Sequence, residues 1–283
     1  MKARFTALAA GLLCASVLSI AQAAEPFKGN WTLSTSEQAG MVHFALSHRM
    51  NGGHSNHSTD WPAGEFLGLD LGATGKRDVT FHITRDAGRF DCEGYLNDAE
   101  GAGLFVFTAN PQYPKDMEAI GFGGIDADKQ FAMAVTDVTV DFARQIKREN
   151  LAGLDTDKLI AFRIFRVDSQ YIHGLRAEGL PATSADRLIA FRVHGVTPAF
   201  TRAVRNAGLE TSEDQLIAFR VHGVSPEFID QVRGLGFENL NSNQLVAMRV
   251  HGVTPEFISR MQSRGIKDLT IDKMINLRVH GID

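Results

Sequence analysis

A motif of about 29 residues recurs along the C-terminal part of the chain, and this repetition constrains the fold more than any other feature. Its clearest copy, Gln215–Phe228, reads QLIAFRVHGVSPEF, and the copies around Arg192 and Arg249 are almost identical. A unit of this length cannot bury its own apolar face, so neighbouring units must stack on each other. The repetition therefore predicts an array of about six repeats over residues 110–283.

Each repeat contains one position at which a helix is expected to begin. The residue there has a side-chain oxygen that can accept a free backbone N–H of the first helical turn. The six members are Asn110, Thr139, Asp168, Thr197, Ser225 and Thr254. An aromatic residue stands three positions later in every copy, and an apolar residue follows after four more, so both share one helix face. We call this segment helix B.

Helix B is expected to end at a Gly or Asn, the residues that tolerate the left-handed conformation. These terminators are Gly121, Asn150, Gly179, Gly208, Gly236 and Gly265. A second segment, helix A, precedes helix B, and in the copy at 214–222 its apolar residues, Val221 among them, suggest packing on both sides. Asp137 and Arg166 replace the glycine that follows helix A elsewhere, so distorted turns are expected there. Neither helix is long enough to be stable alone, which favours a stacked solenoid.

Residues 24–109 have a different character. Apolar and polar residues alternate over 42–47, 79–84, 90–96 and 104–108, which indicates strands, and a turn at 97–101 predicts that the last two form a hairpin. Residues 51–63, rich in Gly and polar residues, are interpreted as a long exposed loop. The predicted fold class is α+β, with a small antiparallel β unit followed by an α-helical solenoid of two-helix repeats.

The first 23 residues predict a secretory signal peptide. Lys2 and Arg4 precede an apolar run, and Ala21-Gln22-Ala23 matches the small-x-small cleavage pattern, so a periplasmic or secreted protein is expected. No second apolar run of spanning length follows, which predicts no membrane span after cleavage. Cys92 would then be the one remaining cysteine, and its place in an alternating segment predicts a buried apolar side chain.

Charge gives a further indication of the partner. The chain carries 29 Lys and Arg against 33 Asp and Glu, and no basic patch dominates either half. A nucleic acid is therefore not expected as a partner. A protein or a cell-envelope component is the expected partner.

The motif QL(I/V)A(F/M)RVHGV(T/S)PEF resembles repeats of uncharacterised exported bacterial proteins. It is also similar to the extracytoplasmic repeats of some membrane metallopeptidases of the β-lactam-sensor type. The resemblance covers residues 88–283, but the peptidase's zinc-binding His-Glu-x-x-His is absent from this chain. The resemblance implies an extracytoplasmic sensing or interaction module and carries over no catalytic residue.

Two columns of the repeat form a candidate binding face for an anionic partner. They are Arg192, Arg220, Arg249 and Arg278, and, two residues later, His194, His222, His251 and His280. The structural alternative is that each Arg pairs with an acid of an adjacent repeat or with a helix-end carbonyl, and that each His lies at a helix C-terminus, where the dipole favours it.

No nucleophile elbow, phosphate loop or dinucleotide fingerprint is present, so neither an enzyme nor a cofactor is predicted. The sequence thus favours a non-enzymatic extracytoplasmic interaction or sensing scaffold that binds a protein or envelope polymer along the repeats. The alternative is a small-ligand or metal-responsive periplasmic sensor using the loop at 51–63, where His54 and His57 lie; no metal ligand set is assigned.

Overall fold

The computed structural model describes residues 27–50, 53–266 and 268–282. Over these ranges the chain forms one six-stranded antiparallel sheet followed by twelve α-helices, so the fold class is α+β as predicted. The predicted signal peptide, residues 1–23, lies outside the described residues. No helix in the described ranges is long and apolar enough to cross a bilayer.

The sheet has the order β3-β2-β1-β6-β5-β4, and each strand pairs antiparallel with its neighbours. The strands are β1 Phe27–Thr35, β2 Met41–Met50, β3 Gly53–Pro62, β4 Lys76–Arg85, β5 Gly88–Asn97 and β6 Glu100–Ala109. The hairpin predicted at 97–101 is confirmed. Asn97 pairs with Glu100, and Asp98 takes the left-handed φ of 55° that a two-residue turn requires.

The prediction of an exposed loop at 51–63 is wrong, because Gly53–Pro62 forms strand β3. It pairs with β2 from Met41↔Pro62 to Met50↔Gly53. The strand lies at the sheet edge and carries polar side chains on both faces, so the apolar alternation that indicates a strand is missing. The proposed sensor loop therefore does not exist in the form that the sequence suggested.

One face of the sheet is a buried layer of aromatic side chains. Its members include Trp31, Phe44, Trp61, Phe81, Phe90, Phe105 and Phe107, each no more than 2% exposed. Trp31 lies across Gly94 and Gly103, and its indole nitrogen donates to the Glu93 carbonyl at 3.1 Å. A Cβ on either glycine would come within 2.8 Å of the indole, so both positions require glycine. Cys92 is buried in this layer, as predicted.

The helices are seven to ten residues long, and helices A and B alternate along the chain. Helices B are α1 Tyr113–Ala119, α3 Val140–Arg148, α5 Ser169–Ala177, α7 Pro198–Asn206, α9 Pro226–Gly234 and α11 Pro255–Ser263. Helices A are α2 Ala127–Val135, α4 Thr156–Phe165, α6 Ala185–Val193, α8 Glu213–His222, α10 Ser242–Val250 and α12 Ile271–Val279. Contacts join like helices of successive repeats, such as α4 with α6 and α5 with α7. Stacked repeats require such contacts, while the solenoid itself stays a prediction.

The predicted starts of helix B are confirmed in five repeats and the predicted ends in all six, whereas the start predicted at Asn110 is wrong. In five repeats the cap side chain accepts the backbone N–H three residues later, as Ser225 does from Phe228 at 3.2 Å. In the first repeat Asn110 instead accepts from Gln112, and α1 begins later, at Tyr113. All six terminators have a positive φ, between 53° and 95°.

The turns after α2 and α4 are not distorted, contrary to the expectation from sequence. Asp137 and Arg166 take φ values of 56° and 57°, close to the 67–72° of the glycines at the same position in later repeats. A left-handed non-glycine residue costs about 1–2 kcal/mol, which the surrounding packing of the repeat must offset.

The sheet packs on α2 through Phe131, which is 1% exposed. Its ring stacks on Phe27 at 5.2 Å and meets the edge of Phe107 at 5.2 Å between centroids. Arg85 of β4 adds hydrogen bonds across this interface. Its guanidinium donates to the carbonyls of Ala134 and Val135 at the end of α2, at 2.9 and 2.8 Å. The sheet and the first helices therefore share one interface.

Candidate functional site

The arginine column lies on the last turns of helices A, and each guanidinium lies over the aromatic ring of the preceding helix B. The distances from guanidinium carbon to ring centroid run from 3.7 Å for Arg192 to 5.2 Å for Arg163. The pairs are Arg163–Phe142, Arg192–Tyr171, Arg220–Phe200, Arg249–Phe228 and Arg278–Phe257. These are cation–π contacts, repeated once per unit.

Several of these guanidinium groups also hydrogen-bond the end of the preceding helix A. Arg220 Nε donates to the His194 carbonyl at 3.3 Å, and Arg249 Nε donates to the His222 carbonyl at 3.2 Å. Carbonyl oxygens at a helix C-terminus lack an intrahelical partner and carry partial negative charge. Arg220 and Arg249 therefore each contact two helices besides their own.

Two arginines vary this pattern. Arg163 donates to the Thr136 carbonyl at 3.1 Å and also forms an ion pair with Asp137, the residue that replaces glycine in that repeat. Arg192 keeps the shortest ring contact, but its Nε is buried and has no hydrogen-bond partner among the described residues.

The side chains of the predicted histidine column, His194, His222, His251 and His280, are all exposed. In the first two, the backbone carbonyl contacts an arginine and the ring stays accessible. The imidazole groups are thus available to a partner along one face of the repeats, whereas the guanidinium groups are already engaged within the stack.

The residue that follows each arginine of the column is an exposed aliphatic side chain, and the next residue is a histidine in four of these repeats and Phe165 in the other. We call these five residues the aliphatic column: Ile164, Val193, Val221, Val250 and Val279, exposed by 54% to 61%. The sequence suggested that Val221 packs inside the array, because helix A is apolar on several faces. In the structure Leu216 and Phe219 are fully buried, and Val221 projects away from them. The regular RVH triplet is the signal that marks this position.

A cleft of about 830 Å³ opens where the free edge of β3 approaches the ends of α2 and α4. Residues 56–62 line it on the sheet side, and residues 135–137 and 162–168 line it on the helix side. Ile164, the first member of the aliphatic column, lies in this lining, so the exposed face of the repeats begins at the cleft.

Three polar side chains of the β2–β3 hairpin form a hydrogen-bonded chain on the face opposite the aromatic layer. The strand register places His43 opposite Asp60, with Ser58 two residues away on the same face. His43 Nδ1 is 2.9 Å from Asp60 Oδ1, and Ser58 Oγ is 2.7 Å from His43 Nε2. Ser36 donates to the other carboxylate oxygen, Asp60 Oδ2, at 2.9 Å.

The ionised state of Asp60 determines which nitrogen of His43 carries the proton. The hydrogen bond from His43, followed by that from Ser36 and the nearby Arg166 charge, lowers the pKa of Asp60 below its ordinary value. An ionised carboxylate only accepts hydrogen bonds, so His43 must carry its proton on Nδ1 when neutral. Nε2 is then the free acceptor, and the Ser58 hydroxyl donates to it.

A second histidine pair, His48 and His57, lies at the interface between the sheet and α2. His48 is 4% exposed, its ring lies 4.4 Å from Phe131, and its Nδ1 has no hydrogen-bond partner among the described residues. His57 stacks on it at 6.3 Å. Burial lowers the pKa of both rings, and the neighbouring His57 lowers that of His48 further, while Asp128 opposes this.

The described residues contain no group of three or more His, Cys, Asp or Glu side chains arranged to hold a metal ion. Comparisons with protein-family models, with curated proteins and with solved structures give no match for this chain.

Proposed function

We propose that the helical repeats form an extracytoplasmic interaction scaffold that binds a protein or an envelope polymer along the aliphatic column. The supporting observation is that column itself, in which the five helices A from α4 to α12 each expose one aliphatic side chain at the same position. Single exposed aliphatic residues are normal on a protein surface. Five at equivalent positions in successive repeats instead define an apolar line, which is typical of an interaction surface.

The dimensions and chemistry of this line indicate the partner. Neighbouring helices pack about 8–10 Å apart, so five stacked repeats would carry the aliphatic column over about 40 Å. Exposed histidines flank it, and the ring-stacked arginines keep the adjacent surface positive. An elongated partner with apolar groups flanked by acidic groups fits this surface, because opposite charges at the rim favour association.

A differential capture experiment tests the proposal. The full chain, a variant with Val193, Val221, Val250 and Val279 all changed to Ser, and a control with Asn206, Gln231 and Ser263 changed to Ala are immobilised. Each is incubated with a cell-envelope extract, and the retained material is quantified. We expect that at least one protein or polymer is retained by the wild type and by the control but not by the Val→Ser variant. Equal retention by all three, or none by the wild type, would overturn the proposal.

A further inference from the structure

We propose that Ser58 is a nucleophile for acyl transfer, with His43 as its general base and Asp60 as the residue that positions His43. This activity would be independent of the binding surface on the repeats. It departs from the expectation, drawn from sequence motifs alone, that the chain carries no catalytic group.

The distances meet the requirements for an activated serine. Nucleophile and base must lie within about 2.6–3.2 Å, and a third group must orient the base. Ser58 and His43 are 2.7 Å apart, and His43 and Asp60 are 2.9 Å apart. Asp60 holds the imidazole in the tautomer whose Nε2 can take the hydroxyl proton, and Ser36 holds Asp60. Such a constellation is recognised by geometry and not by sequence position.

The hairpin fixes these side chains in place. On the opposite face, Val42 is 7% exposed and Trp61 is 1% exposed. A slip of the β2–β3 register by one residue would expose both, so the register that joins His43 to Asp60 is strongly specified. Catalytic side chains on strands are held more precisely than those on loops.

The position of Ser58 also allows a substrate to approach. Ser58 is exposed and lies in the lining of the cleft along β3. Because β3 is an edge strand, some of its backbone N–H groups point away from β2. These groups can donate to an oxyanion or to an extended substrate. Gln38 and Arg166 add donors to the same lining. The substrate that fits this site is a carboxylic ester in an extended chain.

The reaction balances without a cofactor. Ser58 Oγ attacks the acyl carbon while His43 Nε2 takes the hydroxyl proton, and the ester C–O bond then breaks as His43 returns that proton to the leaving alcohol. Water, deprotonated by His43, attacks the acyl-Ser58 ester. Ser58 leaves with the proton, and the carboxylic acid is released.

A fluorophosphonate probe and p-nitrophenyl acetate test this inference on the full chain. We expect stoichiometric labelling of Ser58 and ester hydrolysis, both lost in Ser58→Ala. His43→Gln should slow labelling on the order of 100-fold or more, the usual contribution of a general base. Asp60→Asn should slow labelling and also change its pH profile, because an amide no longer fixes the tautomer. A merely structural role of Asp60 would leave that profile unchanged.

Ser55, half-buried on the other face of β3, supplies a control for a serine–histidine contact without a carboxylate. It lies on the same strand and hydrogen-bonds His57 Nε2 at 2.9 Å, but no carboxylate is hydrogen-bonded to that histidine in the described chain. Ser55→Ala should leave labelling and hydrolysis unchanged. Ser58→Cys should react with iodoacetamide about 10-fold faster than the double variant Ser58→Cys/His43→Gln, since His43 activates the side chain at position 58; this comparison decides the case if an alanine variant does not fold. Absence of labelling at Ser58, labelling unaffected by His43→Gln, or equal iodoacetamide reactivity of Ser58→Cys with and without His43→Gln would each overturn the proposal.

Discussion

Arg220 shows how one side chain can stabilise a repeat array. It lies 5.0 Å from the Phe200 ring centroid and donates to the His194 carbonyl, yet the residue is exposed. Arg220→Met keeps the apolar stem and removes both contacts. An exposed cation–π contact contributes about 0.5–1 kcal/mol and a hydrogen bond about 1 kcal/mol, so the free energy of unfolding should fall by about 1–2 kcal/mol.

Urea denaturation measures this change, and Arg148→Met, at an exposed position of α3, serves as the control. If Arg220→Met leaves the midpoint unchanged while the partner of the aliphatic column is lost, the arginine column contributes to binding and not to stacking.

His48 predicts a pH dependence of stability. Burial lowers the pKa of His48 and of His57 from 6.5, so the folded chain keeps both neutral at a pH at which the unfolded chain takes up protons. Stability from these residues is therefore fully present above pH 6.5 and declines as the pH falls below it. His48→Leu should reduce the difference in melting temperature between pH 7.5 and pH 5. An undiminished difference would assign the effect to other groups.

At the scale of the secondary-structure element, Gly236 ends its helix B, α9, through its backbone conformation alone. Its φ is 95°, and an added Cβ would meet no atom within 4 Å. Gly236→Ala should therefore lower the free energy of unfolding by about 1 kcal/mol, the usual cost of a left-handed non-glycine residue.

Gly234 lies two residues earlier, inside α9, and also has open space around a Cβ. Gly234→Ala should raise the free energy of unfolding by about 0.5–1 kcal/mol, because alanine favours the helix. Denaturant melts measure both changes in the free energy of unfolding. Changes of opposite sign would confirm that Gly236 ends helix B, and changes of the same sign would contradict it.

Helix boundaries could be predicted from the sequence because they depend on residues within one turn of each other. Ser225 caps α9, and Gly236 ends it with a left-handed conformation; both signals lie at the boundary that they set. Strand β3 could not be predicted in this way, since its polar edge lacks alternation. The exposure of Val221 could not be predicted either, because helix A is apolar on several faces and the sequence does not indicate which of them a neighbouring helix covers.

The hydrogen-bonded group Ser58–His43–Asp60 could not be predicted from the sequence either. Its members come from two strands, and only the β2–β3 register joins them. Serine and aspartate two residues apart are common on any strand, and nothing local in the sequence marks His43 as their partner. A correct strand assignment for residues 53–62 would have been the necessary first step.

At the scale of the whole molecule, Phe131 couples the sheet to the helices. It contacts Phe27, Phe105 and Phe107 and is almost fully buried. Phe131→Ala should cost about 3–5 kcal/mol, as for other core phenylalanines. Both tryptophans of the chain lie in the sheet, so their fluorescence reports on it, while circular dichroism at 222 nm reports on the helices.

The two signals should unfold together in the wild type and separately in Phe131→Ala. Phe219→Ala removes an equally buried ring from α8, far from this interface in sequence, and should leave the fluorescence transition nearly unchanged. A single shared transition in Phe131→Ala would show that the sheet and helices are coupled by other contacts.

The direction of the arginine contacts bears on how the gene can change in length. Each guanidinium contacts an aromatic ring of the repeat before it, Arg220 and Arg249 also donate to a carbonyl of that repeat, and each repeat carries its own cap and terminator. An in-frame duplication of about 29 codons would therefore insert a unit that brings every group it needs to join its predecessor. Such a duplication would also add one residue to the aliphatic column, so the length of this column and the length of the gene can change in the same step.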